Sequence, residues 1–449
     1  MPFWKNDRIT PAQIIILGFF FLILGGALLL TLPFAANGPG GASFFDALFT
    51  ATSATCVTGL VIHDTALYWS PFGQLVIMLL IQVGGMGVVT MAVAIFVFSG
   101  KKIGLKQRWV MQESISAPQV GGIVRLTGFI LKTALAIEGL GAALLALRFC
   151  PQFGLWRGLW YAVFHAVSAF CNAGFDLMGT HHGPFSSLTA YAGDPWVTLT
   201  IAALIVLGGI GFLTWHDIWE HGLRFRCYRL QSKLILCTTA VLLLGGFLFF
   251  AVYEFRQPQW AALSAGERAL AAVFQAVTPR TAGFNTVDLG KLSQPGQLLT
   301  ILLMITGGAP GSTAGGFKAT TLAVLLLGIR AVFRRRDSAQ CFGRRLPEDT
   351  LRSASAIFVL YLVLFLLGGT LICAVDSLPL MAALFESASA IGTVGLSLGG
   401  TAALSAPSRF ILIFLMYFGR VGGLTLLYAV SSNGQNTAAQ YPQEQVTVG

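Results

Sequence analysis

Four short stretches of this chain carry the same arrangement of residues, and together they could hold a cation stripped of water. They run from Phe49 to Gly59, Phe164 to Gly174, Phe274 to Gly283 and Phe385 to Gly395. They read FTATSATCVTG, FHAVSAFCNAG, FQAVTPRTAG and FESASAIGTVG, with Phe-to-Gly separations of 10, 10, 9 and 10. An ion leaves water only if other oxygens replace its hydration shell. Backbone carbonyls do this when four loops surround one axis. Turning successive carbonyls to one side requires alternating backbone conformations, which glycine adopts at low cost. Gly59, Gly174, Gly283 and Gly395 supply one such glycine per stretch. No ring of Asp or Glu occupies the turns, which argues against a divalent-cation site. A single membrane glycine usually serves close helix packing, but four in register point to the turns themselves.

A second landmark follows each turn. A Gly-Gly or Gly-Arg pair begins at Gly84, Gly208, Gly307 and Gly419. In the third case the pair opens Gly307-Gly308-Ala309-Pro310-Gly311-Ser312-Thr313-Ala314-Gly315-Gly316, which holds five glycines and a proline. Both residue types oppose helix. Residues 296–333 form one apolar run that as a straight helix would extend ~57 Å, well beyond a ~30 Å hydrocarbon core. The run must therefore be interrupted, and an unpaired backbone at membrane depth has to face protein or water. Lys318 follows at once, where a charge should be functional or paired. In the fourth case Arg420 stands where the other copies have Gly85, Gly209 and Gly308. Mid-span and directed at a cavity, it would oppose a passing cation and could hold the loop's carbonyls near Ser312 and Thr313. The plainer readings are a packing kink for the loop and a snorkelling arginine.

The elements that position these residues repeat four times. Each unit reads as a long apolar helix, a short amphipathic helix, a glycine turn and a second long helix. The first helices fall near 12–33, 127–149, 232–254 and 353–375, and the short ones near 44–55, 157–169, 267–278 and 380–390. The last helices fall near 71–98, 196–219, 296–333 and 408–430. Short helices of this length do not cross a bilayer, which takes about 20 residues. They suit re-entrant segments whose C-terminal ends, carrying partial negative charge, aim at a central cavity. The expected fold is an all-α integral membrane protein of four tandem helix–pore helix–helix repeats around a pseudo-fourfold pore, with eight transmembrane helices. The repeats occupy 11–98, 127–220, 232–333 and 352–430. A basic linker fills 99–126 and a polar tail 431–449.

Composition supports a membrane chain: of 449 residues, 55% are hydrophobic and 10% charged, too few charges to cover a soluble protein of this size. The net charge of +10 therefore reports on topology and not on nucleic acid. Of the 28 basic residues, 18 lie in segments 1–10, 99–125, 221–233 and 330–352, against seven in the loops that carry the turns. Positive-inside counting puts those segments and both termini in the cytoplasm and the turns outside. The cluster Arg330, Arg334, Arg335, Arg336, Arg344 and Arg345 could bind anionic lipid or a cytosolic partner. The stretch 14–32 is too long for a signal-peptide core, so it reads as a retained helix. Asp46 and Glu267 open short helices and suit their N-termini. His181-His182 reads as a solvated pair and His216-Asp217 as interfacial. Glu138 and Lys132 are candidates for pairing with other helices. No nucleophile–base–acid spacing and no phosphate-binding loop is present, so the chain does not read as an enzyme.

The segments TCVTGL, FCNAGF, PRTAGFN and IGTVGL, with Gly307 to Lys318 as the most specific mark, resemble the Trk/Ktr/HKT superfamily of cation transporters, closest to its KtrB-type pore subunits. The resemblance covers about residues 11–430, and the chain starts directly with the first unit. It implies a potassium-translocating pore in the cell (inner) membrane. The filter residues would be Val57, Thr58, Gly59, Asn172, Ala173, Gly174, Thr281, Ala282, Gly283, Thr393, Val394 and Gly395. It implies an intramembrane gate built from the 307–316 loop, Lys318 and Arg420. K+ would be the transported ion, with no organic cofactor in this chain. The implied partners are a KtrA-like cytosolic nucleotide-binding ring, a second copy of the chain and membrane lipid. Some plant relatives with Ser in the first turn carry sodium, so Gly59 argues for potassium. A secondary cation transporter with a midplane site also uses broken helices and is the alternative.

Overall fold

The computed structural model describes residues 10–38, 40–88, 90–91, 105–115 and 122–423. The end of the expected 71–98 helix, much of the 99–126 linker, the end of the 408–430 helix and the 431–449 tail lie outside these residues.

The described chain is almost entirely helical, with one two-residue hairpin pairing Gln340–Cys341 to Arg344–Arg345. Four helices are long and apolar enough to cross a membrane: Pro11–Leu30, Ile123–Phe153, Leu230–Arg256 and Glu348–Asp376. Each is followed by a shorter helix that packs back on it, namely Phe44–Thr55, Leu155–Phe170, Ala265–Val277 and Leu380–Gly392. Local chemistry fixes where these begin. Ser43 caps the first short helix through the Asp46 N–H, and Ser264 and Glu267 form a reciprocal capping box on the third, satisfying donors that a helix start leaves open. The helices that follow the turns begin at a Ser or Asp with proline close behind: Ser70-Pro71, Asp194-Pro195, Ser293 before Pro295 and Ser405 before Pro407. Proline at a helix start gives up an N–H that has no partner there anyway.

The phenylalanines that open the repeated stretches, Phe49, Phe164, Phe274 and Phe385, are all fully buried. The outer faces of the long helices are apolar instead, with Phe21 57% and Leu244 62% exposed, as a lipid-facing surface requires.

Three of the helices after the turns depart from the expected unbroken runs, and the third is interrupted where the glycine-rich segment was expected to break it. The first stops at Met86 where Gly87 takes φ 88°, and the fourth stops at Val421 where Gly422 takes φ 91°. In the second, expected as one helix over 196–219, Pro195–Gly209 and Phe212–His221 meet at 95° across Gly211 at φ 91°. The third is interrupted between Ile305 and Ala319, within the glycine-rich segment. By length alone the described residues thus hold four spans, or five with the bent pair. Positive φ cannot continue a right-handed helix, so Gly87 and Gly422 each end one and Gly211 stands in the break before another begins.

Candidate functional site

The four turns adopt one backbone pattern. Gly59, Gly174, Gly283 and Gly395 have φ of 88°, 72°, 82° and 92°. The residue two before each is also left-handed: Val57 at 57°, Asn172 at 59°, Thr281 at 67° and Thr393 at 51°. A left-handed β-branched residue costs on the order of 1–3 kcal/mol and persists only where its surroundings impose it. Left-handed residues at alternate positions swing intervening carbonyls toward one side, as an oxygen-lined ion path needs.

The turns also close on one another. A Cβ on Gly59 would strike the carbonyl of Ala173, and one on Gly174 the carbonyl of Ala282. One on Gly283 would strike the carbonyl of Val394, and one on Gly395 the carbonyl of Thr58. Each glycine therefore abuts the next turn in chain order, and the fourth returns to the first. Thr58, Ala282 and the other middle residues are buried in this ring. The Asn172 amide and the Thr281 hydroxyl lie 3.1 Å apart and join the second and third turns.

Each turn is tied to its own short helix by a hydroxyl that the sequence reading passed over. Ser53 Oγ accepts from the Gly59 N–H at 3.1 Å, and Ser389 Oγ from the Gly395 N–H at 3.0 Å. Ser168 Oγ donates to the Phe175 carbonyl at 2.7 Å, and Thr278 Oγ1 to the Phe284 carbonyl at 2.5 Å. The fourfold Ser/Thr at this place in the pattern was the available signal.

On one side the four glycines line a cavity of about 280 Å³ together with Asp64, Asp176 and Asp288. Asp176 accepts from the Met178 N–H at 3.0 Å. Burial, reinforced by nearby Asp64, pushes its carboxyl up to about 7. A second cavity of about 320 Å³ is lined by Pro310, Ser312, Lys318, Arg420 and the helix-ending Gly87 and Gly422. The two share no lining residue.

The glycine-rich loop is stitched into its surroundings. Ala309 N–H donates to the Gly209 carbonyl at 2.9 Å, and Phe212 N–H to the Gly311 carbonyl at 2.7 Å, so the loop binds both sides of the bend in the second broken helix. Gly316 N–H donates to Gly419 at 3.1 Å, and Thr313 Oγ1 to Phe170 at 3.0 Å. Within the loop, Ser312 Oγ donates to Ala309 at 2.6 Å, and Lys318 Nζ to the carbonyls of Ala314 (2.8 Å) and Gly315 (3.3 Å). Gly307 N–H pairs with the Phe317 carbonyl at 2.7 Å and closes the loop's neck. Arg420 donates to the carbonyls of Thr313 and Gly84, and to that of Gly85 at 2.8 Å.

Sequence comparison places this geometry. The chain matches the TrkH family, described as cation transport protein, over residues 10–438. The chain belongs to the TrkH family. It is 40% identical to the potassium/sodium uptake protein NtpJ of Enterococcus hirae over 99% of this chain and 98% of that one. It is 39% identical to the Ktr system potassium uptake protein B of Bacillus subtilis, with the same coverage, and 35% to that of Vibrio alginolyticus over 100% of this chain and 98% of the other. The fold resembles the crystal structure of the potassium transporter TrkH from Vibrio parahaemolyticus, with a TM-score of 0.73 at 20% identity over 94% of this chain and 85% of that one. A TrkH-family chain is an ion transporter of the Trk/Ktr type and not an enzyme, and its place is in a membrane.

The other singled-out residues take structural places. Asp46 accepts from Ser43 at 2.8 Å and from Arg409 at 3.3 Å. Glu138 accepts from Gln82 of a neighbouring helix at 3.0 Å. His181 and His182 are exposed. Asp217, expected at an interface, is fully buried and accepts from Ser232 Oγ at 2.7 Å and from the Arg229 N–H at 3.1 Å. Its role is to join the bent helix to the next long one. Arg280, in the one shortened turn, is buried and reaches the Gly307 carbonyl at 3.4 Å; its place in PRTAGF was the only hint.

Proposed function

We propose that this chain is the potassium-translocating, pore-forming subunit of a Ktr-type uptake system. The ring made by Gly59, Gly174, Gly283 and Gly395 carries the reading, because each glycine leaves room for only the backbone of the next turn. In this reading residues 57–59, 172–174, 281–283 and 393–395 form the filter and present carbonyls to dehydrated K+. The four repeats at 11–98, 127–220, 232–333 and 352–430 supply one quarter each. Eight spans result when each broken helix counts as one crossing.

The gate is the 307–316 loop with Lys318 and Arg420. Its support is the bonding of the loop to the broken second helix and to Arg420, beside the cavity that lacks the filter glycines. A fixed guanidinium there repels a cation unless the loop moves. The protein sits in the cell (inner) membrane with both termini cytoplasmic, following its basic loops. Its partners are a cytosolic KtrA-like ring, a second copy and lipid. Relatives named as parts of a Ktr system support the ring.

The second reading, a sodium-coupled or sodium-carrying transporter, is favoured by the potassium/sodium name of the Enterococcus hirae relative. Growth of potassium-uptake-deficient cells at low K+ with the expressed chain, with and without Na+, separates the two. Rescue that needs no Na+ supports the first, and strict Na+ dependence the second. No rescue by a membrane-inserted chain co-expressed with the ring subunit overturns the potassium reading, and sodium uptake by the same cells then tests the sodium-carrying one.

A further inference from the structure

The residue after each repeated phenylalanine is polar and buried in all four copies: Thr50, His165, Gln275 and Glu386, each at most 3% exposed. In two of them the side chain reaches past its own turn to the strand that leaves it. His165 Nδ1 lies 2.7 Å from the Tyr161 carbonyl and so carries the ring proton, which leaves Nε2 to accept from the Leu177 N–H at 3.4 Å. Glu386 is more firmly engaged. Its carboxylate accepts from the Ser397 hydroxyl, from the Thr401 hydroxyl at 2.6 Å and from the Leu398 backbone. These donors stand just beyond Gly395. One buried carboxylate thus clamps the fourth short helix to the outgoing arm of its turn.

A clamp of this kind bears on the ion directly. The carbonyls of Thr393 and Val394 belong to a backbone held at two left-handed residues, Thr393 and Gly395. Ser389 fixes that backbone at the Gly395 N–H, and among the described residues Glu386 gathers the hydroxyls of Ser397 and Thr401 in the segment after it. Hydrogen bonds to a buried carboxylate are strong, and an unpaired one is costly. The arm is therefore stiff, and a stiff arm keeps the ring at one width. We propose that Glu386 is a positioning residue for ion selectivity, acting through Ser397 and Thr401 to hold the fourth turn at the spacing that suits the larger monovalent cation. The proposal rests on the reading of the turns as the filter.

The test uses the full-length chain in liposomes, with rubidium uptake competed by K+ or Na+. Glu386→Gln keeps the shape and loses the full acceptor, and should lower the preference for K+ over Na+ by roughly three- to tenfold. Ser397→Ala and Thr401→Val should each move the ratio the same way and add little on top of Glu386→Gln, because all three cut one clamp. Glu254→Gln removes an equally buried carboxylate that serves Trp260 and Ser293 away from the turns, and should leave the ratio alone. If Gly395→Ser shifts the ratio and Glu386→Gln does not, the clamp is overturned and the filter stands. If neither shifts it, the filter reading falls first. Should Glu386→Gln fail to insert, unchanged ratios in Ser397→Ala and Thr401→Val overturn the proposal.

Discussion

The guanidinium of Arg420 donates to the backbone carbonyl of Thr313, 107 positions earlier in the chain. The same side chain also donates to the carbonyls of Gly84 and Gly85, so one cation binds the glycine-rich loop to the Pro71–Met86 helix. Removing it takes away one of the loop's ties and deletes a positive charge beside the cavity lined by Pro310, Ser312 and Lys318.

Arg420→Gln should therefore raise cation throughput by about tenfold, since a charge in a poorly hydrated cavity is worth a kcal/mol or more to a passing ion. The K+ over Na+ preference should stay nearly intact. Rubidium flux into liposomes, with Na+ competition, reads both. Lost preference at unchanged flux would move Arg420 out of the barrier role.

Deleting Ala309 to Thr313 should also raise flux. The deletion removes the one acceptor of Arg420 that lies in the loop, at Thr313, and the bonds to Gly208 and Gly209. A deletion variant that inserts and passes no more rubidium than the parent would show that the loop does not obstruct.

Gly59→Ser should lower the K+ over Na+ preference more than it lowers expression. The site has φ 88°, and its new Cβ would meet the Ala173 carbonyl. Either the first or the second turn must give way, and both belong to the proposed filter. Uptake competition between K+ and Na+ decides it.

Asp176 should make uptake pH-dependent. Its carboxyl is pushed up to about 7 by burial, so below that pH it is neutral and above it negative. It lines the cavity over the turns, where negative charge attracts cations. Apparent affinity for external K+ should rise as external pH climbs from about 6 to 8, and Asp176→Asn should flatten that rise. Uptake curves at fixed membrane potential test it.

Neutralising Arg334, Arg335 and Arg336 should weaken binding of the proposed cytosolic ring and leave ion preference unchanged. Arg334 to Arg336 follow the Ala319–Phe333 helix and lie among the residues of neither cavity. Co-purification of the ring at physiological salt measures the effect; full retention would assign the cluster to lipid or topology.

The short helices were legible because their ends are written in side chains. Asp46 and Glu267 mark first turns, and the Phe-to-Gly spacing marks ends, so the expected 44–55 coincides with Phe44–Thr55, while the expected 267–278 starts two residues inside Ala265–Val277. The interruption of 296–333 was legible too, since five glycines and a proline outweigh any apolar run. The breaks at Gly87, Gly211 and Gly422 were not. One glycine costs a helix only about 1 kcal/mol, so an apolar run around it still reads as continuous, and the neighbouring loop decides the matter. The left-handed Val57, Thr281 and Thr393 were hidden for the opposite reason. Their side chains argue against that conformation, and only the ring of neighbouring turns imposes it. Arg420 could be placed near Ser312 and Thr313 from repeat alignment, whereas its bond to Gly85 spans 335 positions that no local pattern connects.

The third turn is one residue shorter than its counterparts, and carries Pro279 and a buried Arg280. Such a mismatch is possible because a single polypeptide supplies all four sides. In a ring of identical subunits every replacement lands four times, and a harmful one is harmful at full dose. Here each replacement lands once. One side can drift, shorten or acquire a new charge while three hold their geometry, and the sides are free to specialise. Arg420 on the fourth side and the glycine-rich loop on the third are two such one-sided features. Changes to this protein should therefore act in graded steps, quarter by quarter.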